Sequence, residues 1–137
     1  MKKIVGIAAV IIVILFVYKM MAPDVWIGKS ENEKWTAKLY QTKEGSKWVY
    51  DGDFYWRGSG VEKKNVRVTL TQYLVNGKMI AGNKKGHAAE QISDQNVPFV
   101  GMTSKPKSTD LVQAVIHWKE EGKNDAETVT LNKSVWH

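Results

Sequence analysis

Residues 47–58 read KWVYDGDFYWRG, with five aromatic side chains around Asp51-Gly52-Asp53. Asp-Gly is a strong signal for a two-residue hairpin turn. A turn there would set Val49 opposite Phe54 and Lys47 opposite Trp56, leaving both faces mixed. An unbroken strand sorts the same residues cleanly: alternation puts Trp48, Tyr50, Gly52, Phe54 and Trp56 on one side, with Lys47, Asp51, Asp53 and Arg57 on the other. The stretch is therefore read as one long strand whose aromatics face a core. Gly52 then marks a bulge, or a place where another backbone or ring comes close.

The same period of two recurs on either side. In KWTAKLY, Trp35, Ala37 and Leu39 oppose Thr36, Lys38 and Tyr40; in NVRVTLTQY, Val66, Val68 and Leu70 oppose Arg67, Thr69, Thr71 and Tyr73. Near the end, Val112, Ala114, Ile116 and Trp118 oppose Gln113, His117 and Lys119, and Val129 and Leu131 oppose Thr128 and Thr130. Trp35, Trp48, Trp56 and Trp118 are accordingly expected in the core. Asn76-Gly77 tolerates the positive φ of a type I′ turn, and the EEGKND run at 120–125 reads as a second hairpin loop. Pro98 cannot donate to a ladder, so the strand at 97–102 belongs at an edge. The segment from Gly82 to Asn96 lacks strand pattern and reads as a mobile loop, with at most one or two helical turns around Ala88 to Ile92. About seven short strands at this spacing predict an all-β fold, an antiparallel immunoglobulin-like sandwich or, alternatively, a small β-barrel.

Ahead of this domain, Ile4 to Tyr18 is a run of fifteen residues without a charge, preceded by Lys2 and Lys3. A cleaved signal peptide would need a small-x-small site, whereas a cut after Ala22 places Met20 at its third position back and Pro23 just beyond. An uncleaved transmembrane anchor over residues 1–22 fits better, because Ile4 to Ala22 spans about 28 Å if Lys19 snorkels to the interface. Residues 23–33 then form a linker and a first short strand, and 34–137 the globular domain. Charges flanking the run do not decide its orientation. A basic head before an early apolar run is nevertheless how exported chains begin, so the domain is expected outside the cytoplasm, with the N-terminus inside.

The 137 residues include no cysteine, which excludes disulfides, a thiol nucleophile and a thiolate metal site. The formal charge of +6 is partly an anchor effect: without Lys2, Lys3 and Lys19, seventeen basic residues face fourteen acidic ones, a net +3. Such a surface favours anionic neighbours, for example lipid headgroups or wall polymers.

The run from Trp26 to Trp35, WIGKSENEKW, the stretch YDGDFYWRG at 50–58, and the terminal pair of strands holding Ile116-His117-Trp118 and Glu127 to Leu131 together resemble small extracytoplasmic domains of spore-forming Gram-positive bacteria. The resemblance covers the chain from Trp26 onward. It implies a membrane-anchored or lipoprotein-type β-sandwich at the cell envelope, although this chain lacks the lipid-bearing cysteine. It implies no functional residue.

Catalysis by a nucleophile needs a base held by a third group. His87, His117 and His137 sit in a loop, on an outward strand face and at the last position, and no Gly-x-Ser-x-Gly elbow occurs. Close clusters of zinc ligands are absent, and Asp51-Gly-Asp53 lacks the spacing of an EF-hand. No enzyme activity, cofactor or metal is therefore expected. Binding suits the composition better. Outward Tyr40, Tyr55 and Tyr73, with Lys38, Arg57 and Arg67 on the same parity, are the candidate ligand-binding residues. The expected function is a membrane-tethered binding or interaction module, with wall polymers or another envelope protein as partners. Nucleic acid is expected only if the domain faces the cytoplasm.

Overall fold

The computed structural model describes residues 2–58, 66–82, 90, 91 and 96–134. Helix α1 (Lys2–Met21) is 20 residues long. It is the one described helix long and apolar enough to cross a membrane, and 0% of that span is buried against the rest of the protein. The other described elements are antiparallel strands: β1 (Val25–Lys29), β2 (Trp35–Glu44), β3 (Lys47–Trp56), β4 (Val66–Val75), β5 (Lys78–Gly82), β6 (Glu90–Gln91), β7 (Val97–Thr103), β8 (Val112–Glu120) and β9 (Lys123–Ser134).

Hydrogen bonds join the strands in the order β5-β4-β8-β9-β1-β2-β3-β7, with β6 on β4. The expected all-β class is what forms, and of the two arrangements weighed it is the barrel-like one, a single sheet curled toward closure. Strand β9 makes this possible by pairing with β8 from Lys123 to Leu131 and with β1 from Asn132 to Ser134. At the seam, β4 meets β7 through a side chain: the buried Thr71 hydroxyl donates to the Pro98 carbonyl at 3.1 Å. Proline has no N–H to offer a ladder, so an edge suits it.

The opening stretch runs straight, as β3, and pairs residue for residue with β2 from Trp35↔Trp56 to Glu44↔Lys47. Gly52 is buried opposite Leu39, and its pairing with β7 slips on both sides of it. A Cβ at Gly52 would stand 2.3 Å from the Phe99 ring, so the missing side chain makes room for that ring. Both expected hairpins form, with Asn76 and Gly77 at φ 52° and 79°, and Glu121 and Gly122 at 50° and 80°.

Trp35 lies at the centre of the core, fully buried. Its ring centroid is 5.0 Å from Trp56, 5.9 Å from Trp118 and 6.0 Å from Phe54, all edge-on, a favoured geometry for aromatic pairs. Trp118 is equally buried, and Trp56 packs half-buried against the cluster. Trp48 departs from expectation. It lies on the inward parity but is 64% exposed, because β3 there runs out to the hairpin tip beyond the opposing half of the sheet. Lys43, directly across from it, holds its ammonium 5.5 Å from the ring. We expect Trp48→Ala to leave thermal unfolding within about 0.5 kcal/mol of the parent; a loss of several kcal/mol in a melting experiment would show that the tip is packed after all.

Tyr73 departs in the opposite sense, 1% exposed where an outward position was expected. From Val68↔Trp118 to Leu70↔His117, β4 advances two residues while β8 advances one. The extra residue is a bulge that reverses the parity of everything after it. Thr71, Tyr73 and Val75 thereby turn toward the core, opposite Ile116, Ala114 and Val112. The supposed helical turns at Ala88–Ile92 are contradicted at Glu90 and Gln91, which pair with β4 as a short strand; the rest of that segment lies outside the described residues, as do His87 and His137.

Candidate functional site

The outward face of β2 and β3 is ordered by its register. Thr36, Lys38 and Tyr40 pair with Tyr55, Asp53 and Asp51. Two diagonal bonds cross this ladder: the Tyr40 hydroxyl donates to Asp53 Oδ2, and the Thr42 hydroxyl to Asp51 Oδ2 at 3.1 Å. The second oxygen of Asp51 accepts the Met102 backbone N–H at 2.9 Å, tying β7 to the same face. Lys38 places its ammonium 5.7 Å from the Tyr55 ring. The Asp53 carboxylate, which accepts from the phenol, raises the Tyr40 pKa, and burial adds to it; burial, then Asp53, raises that of Tyr55. Both phenols stay neutral donors across the physiological range.

Of the six candidate residues, the structure brings Lys38, Tyr40, Tyr55 and Arg57 together on this face, with Arg57 exposed just past the end of β3. Arg67 is exposed on β4, opposite Lys119, in the other half of the sheet. Tyr73 is withdrawn altogether, as a core residue 5.9 Å from Phe99 whose phenol burial pushes up to about 12. Asp51, Asp53 and Thr42 are the members that sequence reasoning missed. Asp51 and Asp53 had drawn notice only as cation ligands, and no group of three or more metal-ligating side chains occurs among the described residues.

A second polar constellation lies at the end of the barrel holding the β1–β2 and β8–β9 turns. Ser30 donates to the Asn32 side chain at 2.7 Å and accepts the Trp35 N–H at 2.9 Å; the Asn32 N–H reaches Glu127 Oε1 at 3.4 Å. Lys34 pairs with Glu120 at 2.8 Å. Among the described residues, the indole N–H groups of Trp35 and Trp118, the Thr36 hydroxyl and Oε2 of Glu127 are buried without a hydrogen-bond partner. A shallow concavity also runs along α1, lined by Lys3, Gly6, Ile7, Val10 and Ile11.

Fold and site together define an all-β, barrel-like domain behind an N-terminal apolar helix, with a tyrosine- and carboxylate-bearing outer face. No protein-family model, curated protein or solved structure matches the chain.

Proposed function

We propose that the protein is a single-pass, membrane-tethered binding module of the bacterial cell envelope, α1 spanning the membrane and the β-domain outside, in keeping with the resemblance to envelope domains of spore formers. The observation that carries this reading is α1 itself, a 20-residue helix whose Lys3–Met21 span is apolar enough to cross a membrane and is left uncovered by the domain. An apolar helix of that length with no protein over it finds its solvent in a bilayer. In this reading the domain binds rather than catalyses. The β2–β3 face suits a sugar polymer, because tyrosine rings offer flat apolar surface while Lys38, Asp51 and Asp53 offer polar partners.

Two experiments test the reading. The chain has no cysteine, so Asn124→Cys on the exposed β8–β9 hairpin gives a single label site. A membrane-impermeant maleimide is expected to label it in intact cells; labelling only after lysis would reverse the topology and favour nucleic acid as partner. For the face, replacing both Tyr40 and Tyr55 by Ala removes two rings worth about 0.5–1.5 kcal/mol each, so retention on a wall-polymer column should fall about tenfold. Unchanged retention would remove the sugar reading and leave the tether.

A further inference from the structure

Antiparallel pairing collects at one end of the barrel the start of β1, the ends of β7 and β9, the β2–β3 and β4–β5 hairpin tips and the start of β8. Only Ala22, Pro23 and Asp24 separate α1 from β1, a reach of about 10 Å at full extension. The tether is shorter still in effect, because Asp24 is clamped at 2.6 Å by Lys105 of the β7–β8 loop and at 3.3 Å by Lys133 of β9. Beside Asp24, this same end carries, among the described residues, the domain's large exposed apolar side chains: Trp48 at 64%, Met102 at 63%, Met79, Ile80 and Leu111. Met102 holds φ 54°, a left-handed conformation that a methionine adopts at a cost. Lys43, Lys47, Lys78 and Lys107 are exposed at this end against Glu44 and Asp110.

We propose that this end of the barrel seats on the bilayer in which α1 is embedded, with anionic lipid headgroups as the ligand. Trp48 and the exposed methionines enter the headgroup layer, where amphipathic rings are favoured, and the lysines neutralise lipid phosphates. The seat rests on the membrane reading of α1 but not on which side the domain faces. It makes the anchor and the domain base one continuous lipid-binding surface. The β8–β9 tip is held at the opposite end, nine residues of β8 or about 30 Å away.

The test uses the full chain reconstituted in vesicles of phosphatidylcholine and phosphatidylglycerol, with single cysteines at Ser46, Asn124 or Ile11 carrying an environment-sensitive fluorophore. The Ser46 label is expected to be quenched by lipid-borne nitroxide and shielded from aqueous iodide, and the Asn124 label the reverse. Lys47→Gln should lower the ratio of seated to free domain by about fivefold, the contribution of one lysine at an anionic surface. Trp48→Ala should lower it too while leaving the melting temperature unchanged. The proposal is overturned if the Ser46 label is as open to iodide as the Asn124 label while Ile11 is quenched from the lipid. If Ile11 also stays aqueous, the membrane reading of α1 fails, and the seat falls with it.

Discussion

Trp35→Ala is expected to cost about 3–5 kcal/mol, the largest effect of any single side chain in the domain. The ring is fully buried and touches Phe54, Trp56 and Trp118, which belong to β3 and β8. Its removal leaves a cavity that elements from both halves of the curled sheet would have to close. Against a total stability of about 5–15 kcal/mol, much of the population would unfold at moderate temperature. Trp35→Phe separates volume from polarity. It keeps an aromatic ring and deletes the buried indole N–H that lacks a partner, a group whose isolation costs about 1–3 kcal/mol. The Phe variant should therefore lose less than half of what the Ala variant loses in denaturant unfolding. Equal losses would show that the N–H is satisfied in solution and contributes as much as the ring.

Gly52→Ala should produce the second large effect from the smallest possible addition. The new methyl would meet Phe99 at 2.3 Å, and that ring cannot swing clear, since Phe54 lies 5.0 Å and Tyr73 5.9 Å from it. Overpacking of this kind costs about 1–3 kcal/mol. Because the clash has one partner, a double-mutant cycle isolates it: on a Phe99→Leu background the same substitution should cost less than half as much. If the two changes add, the strain comes from the β3–β7 backbone slip and not from the ring.

How far the fold could be read in advance follows from which residues depend on local chemistry alone. The straight run of β3, the Asn76-Gly77 and Glu121-Gly122 turns and the edge position of Pro98 are local properties, and they stand as expected. Trp48 and Tyr73 fail for a shared reason: alternation tells which side a residue takes, but not how far the opposing half extends or where a bulge resets the count. The same distinction holds at the candidate site. Tyr40 and Tyr55 are outward by parity, yet their link to Asp53 and Lys38 exists only through the β2–β3 register. The cluster at the base of the barrel was less legible still, being assembled from the ends of strands spread over most of the chain.

The placement of β1 also bears on mechanical load. The strand that follows α1 is not an edge strand; β9 and β2 bond to it on either side. A pull on the domain through α1 enters at Val25, along the strand axis. It loads two ladders together in shear, after first having to part Asp24 from its two lysines. Had the chain entered at β5 or β7, the same force would have unzipped an outer strand one bond at a time. The order of strands thus gives α1 a grip on the middle of the sheet.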